Sequence, residues 1–315
     1  MLSVHLENGR VEVREMPRPT RPKGYALLRL LVGGICNTDL ELQRGYYGFA
    51  GTPGHEFVAG VVEADDPLLV GRRVVGEINL ACGDCDWCAR GLGRHCPRRT
   101  VLGIVKHPGA FQEFFTLPER NLHVVPDEIS NEQAVFVEPL AAALEILDQA
   151  AIPKHENVAV LGDGKLGILI AQVLLDHGNG VQHFGRNPSK LAISGKMGAI
   201  THAGGELPKA AFRWVVDATG SSAGIESAIQ MVEPRGTVFL KSTVHDRAAF
   251  DLATVIVNEI SLIGSRCGRF EPALELLRKG KVDVLSMISQ SFPLVAAPEA
   301  FSTATKGGII KVLLH

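Results

Sequence analysis

Aromatic residues are scarce in this chain of 315 residues, since Trp, Tyr and Phe together make up only 6% of it. Glycine is abundant by contrast, with 34 residues, and such a balance is typical of α/β chains with tight turns between strands and helices. The chain also lacks an excess of charge, because its net charge at pH 7 is −2. No basic surface for nucleic acid or for an anionic membrane is therefore expected.

Long hydrophobic runs are missing as well. The longest apolar stretches, residues 140–147 and 166–175, are far too short to cross a bilayer. The first residues show neither the basic nor the apolar region of a secretion signal, so we expect a cytoplasmic protein in a reducing compartment. Disulfides are then not expected, and clustered cysteines more readily indicate a metal site.

Cysteine is rare too, but four of the six cysteines fall within fifteen residues. They are Cys82, Cys85, Cys88 and Cys96, with the spacing C-x2-C-x2-C-x7-C. Short spacers allow thiolates of one loop to converge on a tetrahedral ion at ~2.3 Å. Because four thiolates leave no open position, we predict a structural zinc site. An iron–sulfur cluster and reduced thiols without metal are the alternatives.

A second group of candidate ligands combines different chemistries. Cys36, His55, Glu56 and Glu138 supply a thiolate, an imidazole and two carboxylates, and three such ligands would leave an open position on Zn²⁺. Thr38 lies close enough in the chain for its hydroxyl to serve a bound alcohol, and Asp39 could orient the histidine. On spacing alone, ordinary core and surface roles for these residues are the competing interpretation.

A glycine-rich turn follows the strand expected at residues 157–162. Gly162, Gly164 and Gly167 have the spacing G-x-G-x-x-G, with Lys165 and Leu166 between the last two. In this context the first glycine permits the turn, the second lets the backbone approach a pyrophosphate, and the third allows close packing of helix on strand. The pattern predicts dinucleotide binding at a helix N-terminus.

The chain changes character near Glu138. The first ~130 residues show short β-type segments with turn signals, whereas strands and helices alternate after that point. Alternation of this kind predicts a doubly wound parallel sheet. The last residues, 307–315, again have the pattern of a strand, which could rejoin the first domain.

Taken together and in this order, these motifs resemble the zinc-containing medium-chain dehydrogenases/reductases, a family that includes alcohol, polyol and sugar dehydrogenases. The resemblance covers nearly the whole chain. It implies an α/β protein with a GroES-like, β-rich catalytic domain at 1–137 and 273–315, and a Rossmann domain at 138–272.

The resemblance also implies roles for individual residues. Cys36 and His55 match the catalytic zinc ligands, Thr38 matches the proton-relay hydroxyl, and Glu56 or Glu138 would complete the zinc shell directly or through water. Asn37 and Glu41 depart from the common pattern. Thr219, Ser242, Ser265 and Arg266, within or beside segments 217–222, 239–243 and 264–268, are expected on the nicotinamide side of the cofactor.

The expected cofactor preference depends on the end of the second Rossmann strand. NAD-dependent domains carry an acidic residue there, ~20 residues after the glycine turn, which binds the ribose 2′-hydroxyl. This chain has Gly185, which removes the charge and is expected to open space. Arg186, Asn187 and Lys190 follow and could bind a 2′-phosphate. The sequence therefore favours NADP over NAD.

The expected activity is reversible oxidation of an alcohol, which could be a polyol, a sugar or a secondary alcohol. Two zinc ions per chain and NADP or NAD are the expected cofactors. The partners expected are a small alcohol or carbonyl substrate and further copies of the chain in a homodimer or homotetramer. No nucleic acid or membrane partner is expected. A zinc-free reductase of the same superfamily and a catalytically silent dinucleotide-binding protein are the rival hypotheses.

Overall fold

The computed structural model describes residues 1–242 and 250–315. These residues form two compact units, of which the first comprises Met1–Glu138 and Ile288–His315 and the second Pro139–Met287.

The second unit thus extends beyond residue 272, where the sequence analysis placed its end. The side chain of Gln172 explains this extension, because its amide hydrogen-bonds both backbone groups of Asp283, at 2.5 Å to the N–H and 3.2 Å to the carbonyl. These bonds attach the segment after residue 272 to a helix of the second unit.

The first unit consists mainly of short strands. Its elements are β1 (Leu2–Glu7), β2 (Arg10–Glu15), β3 (Tyr25–Gly34), α1 (Asn37–Gln43), β4 (Glu56–Glu63), β5 (Arg73–Gly76), β6 (Asn79–Leu80), α2 (Asp86–Ala89), β7 (Thr100–Leu102), β8 (Lys106–His107), β9 (Phe114–Pro118), β10 (Leu122–Val124) and α3 (Asn131–Ala134). Helix α4 (Val137–Gln149) begins at the end of this unit and continues into the second.

The second unit alternates strands with helices. Its elements are β11 (Asn157–Leu161), α5 (Lys165–His177), β12 (Gly180–Gly185), α6 (Pro188–Lys196), β13 (Ile200–Ala203), β14 (Phe212–Asp217), α7 (Ser222–Met231), β15 (Val232–Leu240), α8 (Leu252–Val257), β16 (Ser261–Gly264) and α9 (Phe270–Arg278). The chain then returns to the first unit through β17 (Ile288–Phe292), α10 (Ala297–Ala304) and β18 (Lys311–Leu314).

The main sheet of the first unit has the order β10-β5-β4-β3-β18-β17, with β9 also paired to β3. The expected C-terminal strand is confirmed, because β18 pairs antiparallel with β3. The core beside it contains Phe111 and Phe301, both fully buried, with edge-to-face rings whose centroids are 6.2 Å apart.

The end of β3 is the point that positions the site described below. Gly34, its last residue, is paired with Glu56 at the start of β4 and with Leu313 of β18. The chain then turns, and α1 begins two residues after Ile35. Three distant segments of the sequence therefore meet at the end of one strand.

The sheet of the second unit is entirely parallel, with the order β13-β12-β11-β14-β15-β16. Numbered within the unit, this is the order 3-2-1-4-5-6 of a Rossmann fold, so the predicted doubly wound sheet is confirmed. The carboxyl ends of its strands lie at one edge, where ligands bind in such sheets. Among the helices that the structure describes, none has the length and apolar character that a membrane crossing requires.

Candidate functional site

The four clustered cysteines converge as their spacing predicts. Neighbouring sulfur atoms lie 3.4 to 3.8 Å apart, which we measure between Cys82 and Cys96, Cys85 and Cys88, Cys85 and Cys96, and Cys82 and Cys88. A tetrahedral ion at ~2.3 Å from each sulfur would separate the sulfurs by about 3.8 Å. The four thiol groups therefore fit a zinc ion with no open position.

Hydrogen bonds from nearby groups shift the pKa values of individual cysteines in this cluster. Cys85 precedes α2, and Cys96 ends a 3₁₀ turn at Gly93–His95. Backbone N–H groups directed at the Cys96 sulfur, first that of Cys82, lower the pKa of Cys96 to about 6. The pKa of Cys85 is lowered as well, first by the backbone at Cys88, whereas a hydrogen bond with Asp84 raises the pKa of Cys82 to about 12. Because zinc binds thiolate rather than thiol, the lowered pKa values of Cys85 and Cys96 favour binding at neutral pH and the raised one opposes it.

A second cluster joins Cys36, His55 and Glu56, whose ligand atoms all lie within 4.8 Å of one another. Cys36 immediately precedes α1, and its N–H donates to Asp39 Oδ2 at 2.8 Å. His55 Nδ1 is buried without a hydrogen-bond partner among the described residues, although Asp39 Oδ1 lies 3.4 Å away. Thr38 Oγ1 lies 3.9 Å from the Cys36 sulfur. A thiolate, an imidazole and a carboxylate form a donor set suited to a catalytic zinc ion.

A buried lysine was not predicted at this cluster. Lys311 is fully buried, forms an ion pair with Glu56 Oε2, and lies 5.4 Å from the ring centroid of Phe136. Gly34 leaves room for the pair, because a Cβ there would lie 2.9 Å from the Glu56 carboxylate and 3.1 Å from the ammonium group. Burial lowers the pKa of Lys311 to about 8.

The cluster buries more potential anions than cations. Asp39, Glu56 and a Cys36 thiolate contribute three negative charges, and Lys311 contributes one positive charge. Burial alone lowers the pKa of His55, but the Asp39 carboxylate and Cys36 outweigh burial, and the pKa of His55 lies well above its ordinary value. Without metal the site thus attracts a proton, whereas a divalent cation such as Zn²⁺ would supply positive charge in its place.

Glu138, the alternative third ligand, lies near the start of α4 and is half-buried. It does not belong to the cluster of close ligand atoms found among the described residues. The carboxylate of Glu41, one of the two departures from the common pattern of the family, pairs with Arg44 at 2.6 Å on the surface of α1.

The glycine-rich turn has the geometry that its spacing predicts. Gly162 has φ +110°, and a Cβ there would lie 2.5 Å from the carbonyl oxygen of Ala218. A Cβ on Gly167 would lie 1.8 Å from the Gly162 carbonyl oxygen, whereas nothing lies within 4 Å of a Cβ on Gly164. The open face at Gly164 precedes α5, so a pyrophosphate could approach the helix N-terminus there. Lys165 and Leu166 form the first turn of that helix.

The expectation that Gly185 opens space beside the cofactor is wrong. A Cβ at Gly185 would lie 2.6 Å from the Asp163 Cβ and 2.8 Å from its Oδ2. Asp163 Oδ2 also accepts hydrogen bonds from the backbone N–H groups of Arg186 and Asn187, both at 2.6 Å. The carboxylate reaches this place because β11 and β12 are adjacent parallel strands, whose following turns lie side by side.

The other residues proposed for a 2′-phosphate have different surroundings. The Arg186 side chain is exposed. The Asn187 side chain caps α6, because its Oδ1 accepts from the N–H groups of Ser189 and Lys190 at 3.0 and 3.3 Å. The Asn187 side-chain oxygen is therefore already used within the protein.

The residues expected beside the nicotinamide follow the carboxyl ends of their strands. Thr219 comes after β14 and donates to Asp217 Oδ1 at 2.8 Å, while Ser242 comes after β15 and accepts from the Gly220 N–H at 2.7 Å. Thr243 of the same predicted segment lies outside the described residues.

A second unpredicted lysine organises the end of β16. Lys241, which is buried, donates to Ser265 Oγ and to the Arg266 carbonyl, both at 3.0 Å, and to the Ala142 carbonyl at 2.6 Å. The loop that contains Ser265 and Arg266 is thereby attached to α4.

Sequence reasoning also missed His183 on β12. Its Nε2 lies 2.9 Å from the Gly162 carbonyl oxygen and its Nδ1 lies 2.8 Å from Ser194 Oγ. Burial lowers the pKa of His183, so the neutral ring supports the glycine-rich turn. The sequence offered a signal for each of these residues. His183 is a histidine within an apolar strand, and Lys311 is a lysine within the apolar C-terminal strand.

Comparison with known proteins agrees with both units. Residues 22–127 match the model of the alcohol dehydrogenase GroES-like domain. The chain is 30% identical over 308 residues to D-altritol 5-dehydrogenase of Agrobacterium fabrum, with 92% of this chain and 91% of that protein covered. It is 28% identical over 333 residues to sorbitol dehydrogenase of Halalkalibacterium halodurans, with 97% and 96% covered.

Among solved structures, an alcohol dehydrogenase of Thermus sp. ATN1 superposes with a TM-score of 0.89 at 27% identity. The alignment covers 100% of this chain and 99% of that one. With its GroES-like unit, Rossmann sheet and two metal-type clusters, this chain belongs to the zinc-type alcohol dehydrogenases, the medium-chain dehydrogenase/reductase family that also contains polyol and sugar dehydrogenases.

Proposed function

We propose that this protein catalyses reversible oxidation of a polyol or a related secondary alcohol with a nicotinamide dinucleotide as hydride acceptor. The observation that carries this proposal is the cluster of Cys36, His55 and Glu56, which brings three ligands with different chemistry within 4.8 Å of one another. Such a site suits a zinc ion with one position open to substrate. When bound, zinc acts as a Lewis acid that lowers the pKa of an alcohol, and the nicotinamide accepts the hydride.

The residues of the chain have distinct parts in this proposal. Cys36, His55 and Glu56 hold the metal, and Asp39 orients the imidazole from 3.4 Å. Thr38 is half-buried beside the Cys36 sulfur, so its hydroxyl is placed to accept the proton of the substrate hydroxyl while it passes its own proton on towards solvent. Lys311 stabilises the Glu56 carboxylate, and both side chains are buried. Glu138 remains a proposed outer ligand.

The second unit supplies the dinucleotide site in this proposal. The open backbone at Gly164 and the N-terminus of α5 suit a pyrophosphate. The residues proposed on the nicotinamide side, Thr219, Ser242, Ser265 and Arg266, all follow carboxyl ends of parallel strands.

A polyol is the favoured substrate class because two relatives, D-altritol 5-dehydrogenase and sorbitol dehydrogenase, are named for polyols. Both are similar to this chain over nearly its full length. We also propose that the chain forms a homodimer or homotetramer and acts in the cytoplasm, as the family resemblance implies. Size-exclusion chromatography with light scattering would test the first of these.

The activity is tested by incubating purified protein with a panel of polyols, sugars and simple alcohols and measuring nicotinamide absorbance. Metal analysis of the same sample is expected to give two zinc ions per chain, one for each cluster. Turnover with a polyol would support the proposal. Dinucleotide binding without turnover on any substrate would indicate a silent protein, and turnover after loss of the Cys36 site zinc would indicate a zinc-free reductase.

A further inference from the structure

The end of β12 has no acidic residue, but a carboxylate from another part of the chain lies beside it. Asp163, the middle residue of the turn 162–164, places its side chain against Gly185, with Oδ2 at 2.8 Å from the position of a Cβ. Oδ2 accepts from two successive backbone N–H groups at 2.6 Å each, which fixes the orientation of the carboxylate. Among the described residues, none donates a hydrogen bond to the other oxygen, Oδ1.

This place has a defined role in Rossmann folds. The pyrophosphate lies at the N-terminus of the helix after the first strand, and the adenosine ribose extends towards the end of the second strand. In this chain the corresponding strands are β11 and β12, which pair in parallel register from Asn157↔Gly180 to Leu161↔Phe184. A carboxylate at the end of β12 binds the ribose 2′-hydroxyl and repels a 2′-phosphate.

We propose that Asp163 determines cofactor choice and makes the site prefer NAD(H) over NADP(H). Asp163 replaces the acidic residue that is missing at the end of β12. Its carboxylate lies beside Gly185 although Asp163 itself follows the neighbouring strand, β11. This inference rests on the proposed function, because it concerns the cofactor of that reaction. It is opposite to the preference expected from Gly185 and Arg186 alone.

The surroundings of Asp163 favour this reading over a purely structural one. Two N–H groups satisfy only Oδ2, so Oδ1 is available for a ribose hydroxyl. The Arg186 backbone, rather than its exposed side chain, makes the bond to Asp163. A 2′-phosphate bound by the guanidinium group would therefore have to lie near a fixed carboxylate, and like charges at short distance oppose such binding.

The test measures dissociation constants of NADH and NADPH by isothermal titration calorimetry, without any substrate. The variants are Asp163→Asn, Arg186→Ala and, as a matched control, Asp176→Asn on the exposed side of α5. Asn keeps an oxygen that can accept from both N–H groups, so Asp163→Asn is expected to fold, as a melting curve would verify.

We expect the wild type to bind NADH at least about tenfold more tightly than NADPH. Asp163→Asn is expected to reduce this ratio about tenfold or more, since a hydrogen bond to a charged group and a charge repulsion are both lost. Asp176→Asn and Arg186→Ala are expected to change the ratio less than about threefold.

A wild type that prefers NADPH, with the preference lost in Arg186→Ala, would overturn the inference. An unchanged ratio in Asp163→Asn would also overturn it while leaving the proposed function intact, provided that both cofactors bind. Binding of neither cofactor would overturn the inference and the proposed function together.

Discussion

Lys311→Met is expected to destabilise the first unit strongly, although it replaces one buried side chain by another of similar length. In the native protein the ammonium group pairs with Glu56 Oε2, and both side chains are almost completely buried, at 0% and 1% exposure. Burial lowers the pKa of Lys311 to about 8, against the opposing effect of the Cys36 and Asp39 charges. Removal of one partner leaves a buried carboxylate without its counter-ion.

The magnitude follows from this desolvated charge. Loss of one partner of a buried ion pair costs about 3–5 kcal/mol in the free energy of unfolding. Since about 1 kcal/mol moves the melting temperature of a 150–250-residue domain by about 2–4 °C, we expect a decrease of roughly 6–20 °C. The loss should be larger after a chelator has removed zinc, because the metal would neutralise part of the same carboxylate.

The assay is a double-mutant cycle at pH 7 with Lys311→Met, Glu56→Gln and the combined variant, measured by thermal and urea unfolding. The combined variant removes both partners of the ion pair, so we expect a coupling free energy of about 2–3 kcal/mol. Lys306→Met, an exposed lysine before the same strand, serves as control and should change stability by less than about 0.5 kcal/mol. A stable Lys311→Met variant, or additive effects in the cycle, would refute the reasoning.

Three further predictions concern the zinc clusters and the glycine-rich turn. Cys88→Ser should lower the zinc content by about one ion per chain and decrease the melting temperature, because a closed four-thiolate site loses a ligand; full metal content would contradict the structural site. Glu56→Gln should also remove about one zinc ion per chain, whereas Glu138→Gln should retain it, because Glu56 alone belongs to the ligand cluster; the reverse result would assign Glu138 as third ligand. His183, whose pKa is lowered by burial, binds fewer protons when folded than when unfolded, so its contribution to stability is present above about pH 6.5 and is lost as pH falls below that value. Unfolding free energies between pH 5.5 and 7.5 should depend less on pH in His183→Gln than in the wild type or in the exposed control His315→Gln, and equal slopes would disprove this.

Much of the fold could be predicted from local patterns. The Rossmann strands and most of their helices have apolar periodicity and capping residues that identify them, as for α5, which begins after Gly164 and ends at Gly178 with φ +101°. The strand β13 and the helix α8 were not predicted. Exposed side chains explain this, because Ile200 in β13 and Val257 in α8 are 61% and 78% exposed, so no buried face marks either element in the sequence.

The cysteine cluster could be predicted as well, because all four ligands lie on one loop and its spacing alone restricts the geometry. The mixed cluster depends instead on sheet topology. Glu56 and Lys311 are 255 positions apart, and they meet only because β4 and β18 both lie beside β3. No local pattern of the sequence contains that pairing.

The carboxylates beside Gly185 and Gly34 could not be located from the sequence for the same physical reason. A glycine at a strand end indicates a missing side chain, and we interpreted Gly185 as open space on that basis. In the folded chain, a carboxylate from another strand or turn fills the space beside such a glycine: Asp163 Oδ2 lies 2.8 Å from a Cβ at Gly185, and Glu56 Oε2 lies 2.9 Å from a Cβ at Gly34. Because a close-packed interior leaves few voids, a neighbouring side chain occupies the space beside both of these glycines. The charge at such a position must therefore be assigned from strand adjacency rather than from the residue that occupies it.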